Sequence, residues 1–437
     1  MTPHVLVLGG GLAGLASAAA LGFARYRVTV IESRPFLGGR ATSYPAGDEL
    51  IDNCQHILLR CCVNLVDFYA RLEVSDHIDF HREFYFLEPG GRMSTLRRGR
   101  FKPPLHFAES FARASFLSLP EKLALGRALL ALKSERKTRR DLDRLTMLDW
   151  LREKKQPQRV INRFWRQILV SAINEEIDRM SALHGFQVFW LGFLARANSY
   201  EMGVPTVPLT RLYGSEAWER MKTVTLETRA SVERIVANGD RIEGVIVNGQ
   251  RRQADVYISA LPFERIPAVL PELNLDLSPF DHSPITGIHL WFDRRVTTLP
   301  HGTLLDRTIQ WFFNKGQGRY IQVVVSASRS LVEMPKQEVV DLTLEELAEF
   351  LPLVKEAKLE KSHVVKEVRA TFSARPGLEE ARPKPATQFR NLFLAGDWTK
   401  SGWPATMEGA VRSGYIAAEM VTAAQGDRQH FLLPDLA

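Results

Sequence analysis

The 437-residue sequence predicts an α/β protein, and three features of the chain carry that prediction. Residues 5–8 read as a buried strand that passes through a glycine-rich turn into a helix of small residues, the pattern of a dinucleotide-binding unit. Residues 224–262 alternate with the period of β-strands, and residues 391–414 repeat a strand followed by a helix. A chain of this length exceeds one hydrophobic core, so the intervening stretches should form a second domain.

Composition indicates a globular chain, with 45% apolar and 24% charged residues. The net charge of +7 leaves nucleic acid, an anionic membrane and an acidic ligand as candidate partners. Between Arg82 and Arg140 there are 14 basic and 5 acidic residues, so the excess charge is concentrated in that segment.

The three cysteines, Cys54, Cys61 and Cys62, fit neither a disulfide framework nor a zinc site, and we expect reduced thiols and no bound metal. The N-terminal residues lack the basic and apolar regions of a signal peptide, and no apolar stretch is long enough to span a bilayer. We therefore expect a cytoplasmic protein.

The first forty residues contain the G-x-G-x-x-G pattern, in which each position has a mechanical role. Gly9 permits the tight turn, Gly11 admits a pyrophosphate close to the backbone, and Gly14 lets the helix pack on the strand. The helix that opens at Leu12 and Ala13 directs its positive end at the phosphates. Glu32, at the end of the next strand, is placed to accept hydrogen bonds from ribose hydroxyls and disfavours a 2′-phosphate.

Residues 34–43 continue this pattern with Gly39, Arg40 and Ala41. The segment resembles the G-G-R-x-x-S/T motif of the flavin amine oxidase and phytoene desaturase superfamily. That resemblance implies FAD as the cofactor, with an arginine and glycine backbone reaching its pyrophosphate, in a Rossmann-like domain of the glutathione-reductase type.

A second segment of the same resemblance lies more than 350 residues downstream. Gly396 and Asp397 end a strand, and Trp403, Thr406 and Met407 precede or open the last helix, as in the carboxy-terminal FAD motif of the superfamily. Asp397 is suited to ribityl and phosphate-side groups. The N–H groups at Thr406 and Met407 point the positive helix end at the flavin N1–C2=O region. The resemblance adds two residues to those expected to contact FAD. They are Ser33, and Val232 in the β-rich residues 224–262, here called the middle β-unit.

The segment from Asp52 to Leu58 reads D-N-C-Q-H-I-L. It resembles the D-N-x-Q-H-x-L segment of hydroxysqualene dehydroxylases, also called squalene-associated FAD-dependent desaturases. The resemblance implies conversion of hydroxysqualene to squalene by reductive dehydroxylation, in squalene and hopanoid biosynthesis. Carotenoid or other isoprenoid desaturases, flavin amine oxidases, and prenyl-lipid carriers of the same fold that have lost flavin are the alternatives.

Reductive dehydroxylation needs a proton for the leaving hydroxyl and an apolar cavity around the allylic cation. His56 is the predicted proton donor because imidazole titrates near neutral pH. Gln55, Asp52 and Glu408 are alternatives that could orient a water molecule, and Gln55 cannot itself act as an acid. The candidate wall residues are Trp190, Phe189, Phe193, Trp291, Trp311, Phe312, Phe313, Trp398 and Trp403, with the last two expected nearest the flavin.

The basic segment from Arg92 to Leu132 interleaves cations with large apolar residues and includes a predicted helix that opens at Leu119. We expect it to dock on an anionic membrane, so that the protein is peripheral on the inner face of the plasma membrane and takes a long-chain isoprenoid from it. The alternative is a solvated basic face beside a buried helix. No nucleic-acid-binding module accompanies the segment, so nucleic acid is not an expected partner. The sequence does not identify the electron donor.

The predicted FAD domain is discontinuous, from residues 1–80, 210–270 and 380–437. Residues 81–209 and 271–379 should form the substrate domain, with a mixed sheet and a helical cap over about residues 108–200.

Overall fold

The computed structural model describes residues 2–436. Its strands are β1 (His4–Leu8), β2 (Arg27–Ile31), β3 (Ser43–Ala46), β4 (Glu49–Asp52), β5 (Leu58–Leu59), β6 (Ile78–His81), β7 (Glu83–Leu87), β8 (Met93–Arg97), β9 (Met202–Pro205), β10 (Val224–Glu227), β11 (Val232–Asn238), β12 (Arg241–Val247), β13 (Gln250–Arg252), β14 (Val256–Ser259), β15 (His282–Phe292), β16 (His301–Leu304), β17 (Trp311–Gly316), β18 (Tyr320–Ser326), β19 (Leu359–Phe372) and β20 (Leu392–Leu394).

The helices are α1 (Leu12–Phe23), α2 (Val63–Arg71), α3 (Ala108–Arg113), α4 (Leu119–Thr138), α5 (Met147–Glu153), α6 (Gln158–Val160), α7 (Gln167–Ile173), α8 (Ala182–Phe189), α9 (Leu209–Tyr213), α10 (Ile266–Val269), α11 (Arg329–Val332), α12 (Lys336–Phe350), α13 (Leu378–Ala381) and α14 (Met407–Ala424). Within residues 2–436, no helix has the length and apolar character needed to cross a membrane.

A five-stranded parallel sheet in the order β10-β2-β1-β14-β20 confirms the predicted Rossmann-like α/β fold. Helices α1 and α14 pack together beside it at close backbone distance. A Cβ added at Gly414 would lie 2.2 Å from the Ala13 carbonyl oxygen, and the Ser17 hydroxyl donates to the Gly414 carbonyl at 3.1 Å. Small residues in α1 therefore bring the two ends of the chain into contact.

The middle β-unit divides between two sheets. β10 joins the edge of the parallel sheet, whereas β11, β12 and β13 form a separate antiparallel sheet. Alternation in the sequence indicated strands in both regions but carried no information about which strands pair, because pairing depends on distant segments.

A seven-stranded mixed sheet in the order β19-β15-β18-β17-β16-β7-β8 forms the second domain. Strands β7 and β8 reach it from the N-terminal half, through parallel pairing of β7 with β16. One face of this sheet is covered by α12, with Ile288, Leu290 and Phe312 in the apolar layer between them. The opposite face looks toward the helical region that runs from α3 to α8.

Candidate functional site

The glycine-rich loop at the end of β1 and the turn at Gly38 and Gly39 meet backbone to backbone. Gly9 has φ +110°, and a Cβ there would lie 2.8 Å from the Ala260 carbonyl oxygen. A Cβ on Gly39 would lie 3.0 Å from Cα of Gly11, and the Gly38 N–H donates to the Gly10 carbonyl at 2.8 Å. The two segments therefore form a cradle without side chains at the amino end of α1, whose first turn contains no acidic residue.

Glu32 lies at the end of β2 and organises this cradle. Its carboxylate accepts from the Gly10 N–H at 2.8 Å, from the Arg34 N–H at 2.7 Å and from the exposed Ser33 hydroxyl at 3.1 Å. Its backbone carbonyl accepts from Ala230 N–H at 2.8 Å, which brings the start of β11, with the buried Val232, alongside. Glu32 thus holds the turn as well as presenting a carboxylate to the predicted ribose position.

Arg40 and Asp397 join the two ends of the chain. Nη2 of Arg40 donates to both carboxylate oxygens of Asp397 at 2.8 Å, and Nη1 donates to the Ala370 carbonyl at 2.9 Å. The neighbouring Ala41 is buried. The structure therefore brings together two predicted FAD contacts that the sequence had related only by resemblance.

The Asp397–Trp403 loop depends on Arg382, a buried residue that the sequence motifs did not reveal. Its guanidinium donates to the carbonyls of Asp397 at 2.8 Å and Trp403 at 2.7 Å, and to the Ser401 hydroxyl at 3.0 Å. Gly396, with φ +138°, is held from the other side, since its N–H donates to the Ser413 hydroxyl at 2.8 Å. Arg382 lies outside any recognisable motif, so no signal in the sequence marks it.

Helix α14 begins at Met407, with Thr406 as its N-cap, whose hydroxyl accepts from the Gly409 N–H at 3.0 Å. The fully buried Glu408, in the first turn of α14, accepts from Leu65 N–H at 2.7 Å and from Asn64 Nδ2 at 2.8 Å. Burial raises the pKa of Glu408, opposed by those hydrogen bonds. This carboxylate anchors α2 to α14.

An apolar cavity of about 340 Å³ extends from the start of α14 toward the helical region. At its inner end lie Trp403, Thr406 and Met407, together with residues 57–59 and the vicinal Cys61 and Cys62. At the other end it is lined by Leu105, Lys122, Gly126 and Leu129, and Leu105 is 59% exposed, so the cavity reaches the surface there.

Of the predicted aromatic wall, Phe189, Phe193, Trp311 and Trp403 line the cavity. Trp398 does not, and its indole N–H donates to the Leu261 carbonyl at 3.0 Å in a core contact with Phe263 and Phe280. The expectation that Trp398 lies in the wall is therefore wrong. Phe312 points to the α12 side of the sheet, and Trp190, Trp291 and Phe313 are also outside the lining. The aromatic lining is completed by residues from β7, the loop before α3, α3 itself and the helical region: Phe84, Phe86, Phe107, Phe111 and Phe164.

Gln55 and His56 lie in the loop between β4 and β5, immediately before Ile57, which lines the cavity. Neither amide atom of Gln55 has a hydrogen-bond partner, and Nδ1 of His56 has none. Desolvation lowers the pKa of His56 to about 4, although the charge of Asp52 opposes the shift. The imidazole is therefore neutral at pH 7, and its assignment as proton donor stays a prediction.

These residues fit a bound FAD. The side-chain-free cradle and the open first turn of α1 suit its pyrophosphate, and the capped amino end of α14 suits the flavin ring. The unpartnered polar atoms of Gln55 and His56 supply hydrogen-bonding groups in the loop that leads to the cavity-lining Ile57.

Comparison with known proteins agrees with this geometry. The profile of flavin containing amine oxidoreductases matches residues 12–422. A probable zeta-carotene desaturase of Synechococcus elongatus is 27% identical over 97% of this chain and 99% of that protein. A 15-cis-phytoene desaturase of the same organism is 25% identical over 98% of this chain and 97% of that protein. An oxidoreductase from Methanosarcina mazei shares the fold, with a TM-score of 0.73 and 19% identity, over 94% of this chain and 98% of that one.

Proposed function

The chain belongs to the flavin containing amine oxidoreductase family and is an FAD-dependent oxidoreductase; from this premise we propose that its substrate is a long-chain isoprenoid. The observation that carries the proposal is the apolar cavity between Met407, at the flavin end, and the surface at Leu105. Bound FAD supplies two-electron hydride acceptance or donation. The chain supplies the hydrophobic enclosure, which excludes water from the reacting carbons.

The cavity is unsuited to an amine. Within the described residues, its charged lining side chains are Lys122 and Glu408. Nζ of Lys122 donates to the Ala112 carbonyl at 2.8 Å, and the Glu408 carboxylate is engaged by α2. Among the residues that the structure describes, no free carboxylate therefore faces an ammonium group inside the lining, and burying an unpaired cation there would be costly.

Among isoprenoid reactions, the curated relatives support desaturation of a carotenoid-type hydrocarbon, since two of them are zeta-carotene and phytoene desaturases. Desaturation removes a hydride and a proton from adjacent carbons and leaves a double bond. A second candidate is the reductive dehydroxylation of hydroxysqualene. The location of Gln55 and His56 next to the cavity-lining Ile57 favours it, because their segment carries the sequence resemblance to hydroxysqualene dehydroxylases.

The direction of electron flow separates these reactions. Purified FAD-loaded protein is mixed without oxygen with 15-cis-phytoene, zeta-carotene or putrescine, and photoreduced protein is mixed with hydroxysqualene. Loss of the oxidised flavin absorbance with either carotenoid, with a desaturated product by mass spectrometry, supports desaturation. Return of that absorbance with formation of squalene supports dehydroxylation. Reaction with putrescine alone would contradict the isoprenoid proposal.

We also propose that the protein works as a peripheral protein on the cytoplasmic face of the plasma membrane. Of the eleven exposed large apolar side chains among residues 2–436, six lie between residues 93 and 130, at or near the mouth of the cavity: Met93, Phe101, Leu105, Leu119, Leu123 and Leu130. In the described part of the chain, Lys102, Arg113 and Arg127 have no carboxylate within 4.0 Å and are exposed beside them. Apolar side chains rimmed by free cations suit an anionic bilayer.

A further inference from the structure

The face of the seven-stranded sheet opposite α12 carries a row of polar side chains in direct register. His289 on β15 lies opposite Gln322 on β18 and opposite His363 on β19. Gln322 in turn lies opposite Phe313 on β17. Because directly opposed residues point to the same face, His289 and Gln322 are side-by-side neighbours.

His289 and Gln322 are fully buried, yet their polar atoms are incompletely paired. One ring nitrogen of His289, Nδ1, lies 2.7 Å from the hydroxyl of Tyr320. The other, Nε2, has no partner in hydrogen-bonding geometry, although the backbone of Asp52 lies close to the ring, and neither amide atom of Gln322 has a partner. A buried polar atom without a partner lowers the free energy of unfolding by about 1–3 kcal/mol. Three such atoms on two neighbouring residues therefore indicate a role other than stability.

The loop that carries Gln55 crosses the same face. A Cβ added at Gly287, two residues before His289 on β15, would lie 3.3 Å from Cα of Cys54. The loop is fixed there by Asp52, which pairs with Lys315 of β17 at 3.3 Å and accepts from the Leu209 N–H at 3.0 Å. Unpartnered polar atoms of β15, β18 and this loop therefore lie on the same face of the sheet. The loop continues to Ile57, which lines the cavity.

The unpartnered atoms of His289, Gln322 and Gln55 make no hydrogen bond to the described residues of the nucleotide cradle, and these three residues are not part of the apolar lining. We propose that His289 and Gln322, with Gln55, form a hydrogen-bonding subsite at the reacting centre, and that Nε2 of His289 accepts a proton there. Tyr320 is the positioning residue of this proposal: its hydroxyl accepts from Nδ1–H of His289 in the tautomer that leaves the lone pair on Nε2.

The charges around His289 are compatible with a neutral imidazole. Desolvation lowers its pKa to about 4. The groups that face it are His363 from β19, Lys315 from β17 and Asp52 from β4, of which Asp52 alone opposes the shift, together with Tyr320 from β18. At pH 7 the ring is therefore free to take up a proton, as removal of a proton from a substrate carbon requires.

This inference rests on the proposed function for the identity of the substrate, but its first test does not depend on turnover. Nitrogen-15 NMR of histidine-labelled holoenzyme, with His289→Gln for assignment, reports the tautomer and the surroundings of the ring. We expect an unprotonated Nε2 at pH 7 whose signal shifts when FAD is removed. A proton on Nε2, or a signal indifferent to FAD, would overturn the proposal even if the isoprenoid reaction is established.

The second test uses the isoprenoid that the wild-type enzyme converts. His289→Ala should retain FAD and lower turnover by about 10²–10⁴-fold, the usual contribution of a general base, with partial recovery on addition of imidazole. His363→Gln, in the same row but half-buried, is the matched control and should keep near wild-type turnover. Equal losses in the two variants, or an active His289→Ala without imidazole, would contradict the role. Failure of every isoprenoid with wild-type enzyme would instead refute the proposed function.

A third measurement separates function from structure. Replacing Gln322 by Leu removes two unpartnered amide atoms, so the melting temperature of the FAD-free protein should be maintained or raised while turnover falls. A lowered melting temperature would mean that the amide is a structural group, and would remove Gln322 from the subsite.

Discussion

Gly14 and Gly126 are both helical glycines, but their surroundings differ. A Cβ at Gly14 would lie 2.0 Å from the Gly9 carbonyl oxygen, which is backbone and cannot move aside. A Cβ at Gly126, within α4, meets nothing within 4 Å. The first glycine is therefore required by packing at the cofactor cradle, and the second is not.

We expect Gly14→Ala to lower the free energy of unfolding by about 3 kcal/mol or more and to abolish FAD retention, because the loop must shift. Gly126→Ala should raise the free energy of unfolding by up to about 1 kcal/mol, the difference in helix propensity. Urea unfolding and the ratio of flavin absorbance to protein absorbance measure both effects. A Gly14→Ala protein with normal flavin content would contradict this account of the cradle.

His301 is a fully buried histidine with neither ring nitrogen partnered, packed among Tyr85, Trp311 and Phe313. Desolvation, helped by the nearby His81, lowers its pKa to about 3, whereas the ordinary value is 6.5. The unfolded chain therefore binds a proton at this residue between about pH 6.5 and 3, and the folded chain does not. Above pH 6.5 this difference in proton binding has no effect on stability. As the pH falls from 6.5 toward 3, proton uptake by the unfolded chain lowers the free energy of unfolding.

The corresponding prediction concerns His301→Phe. Between pH 7 and pH 4.5, wild-type protein should lose about 2–3 kcal/mol more free energy of unfolding than the variant. Urea unfolding at the two pH values measures the difference, with the exposed His77→Phe as the control that keeps the wild-type acid sensitivity. The same loss in His301→Phe and wild type would show that the buried ring does not drive it.

At the scale of elements, helix α4 packs one face into the helical cap and exposes apolar side chains on another face. It begins at Leu119 after a capping box of Ser118 and Glu121, in which the Glu121 carboxylate accepts from the Ser118 N–H at 2.7 Å. Leu125 and Leu132 are fully buried, whereas Leu123 and Leu130 are about 60% exposed. Apolar residues therefore cover both faces of the helix, which a soluble cap alone does not require.

Replacing Leu119, Leu123 and Leu130 together by Ser should abolish sedimentation with vesicles that contain phosphatidylglycerol, because this removes exposed apolar area beside free cations. The double variant Leu353→Ser, Val368→Ser removes comparably exposed side chains elsewhere and should bind like wild type. Binding should weaken with salt. Wild-type binding that is equal on neutral vesicles, or unaffected by the α4 changes, would refute this docking face.

At the scale of the whole molecule, the cavity depends on three parts of the chain. Its inner end is built by the start of α14 and the loop after β4, one wall by the seven-stranded sheet, and its mouth by α4 and the loop before α3. Neighbouring leucines of α4 separate these roles, since Leu129 lines the cavity and Leu130 is 61% exposed.

Leu129→Trp should therefore raise KM for the isoprenoid substrate about tenfold, a loss of about 1.4 kcal/mol of binding, by filling the mouth. FAD content should be unchanged, since Leu129 belongs to α4 and takes no part in the glycine cradle or the Arg40–Asp397 pair. Leu130→Trp is the matched control and should leave KM within about twofold in detergent-dispersed assays. Equal effects of the two substitutions would show that substrate does not pass this point.

Local sequence patterns predicted the features of this protein that depend on residues close together in the sequence. The strand–glycine–helix unit, the acid at Glu32 and the helix from Leu119 could be recognised because each depends on neighbours within a few turns. The joining of Arg40 to Asp397, and the support of that loop by Arg382, could not, because each contact links residues brought together by the fold.

The sequence by itself determined the dinucleotide-binding turn and the α/β fold, since the glycine turn and the small-residue helix follow from backbone sterics and helix polarity, and the resemblance of its two terminal motifs to flavoprotein motifs implied FAD. Tertiary structure alone decided which aromatic residues enclose the cavity, that Trp398 is a core residue, and that His289 and Gln322 lie side by side with unpaired polar atoms. Alternation along a strand tells which residues share a face, but sheet order and domain packing decide what that face meets.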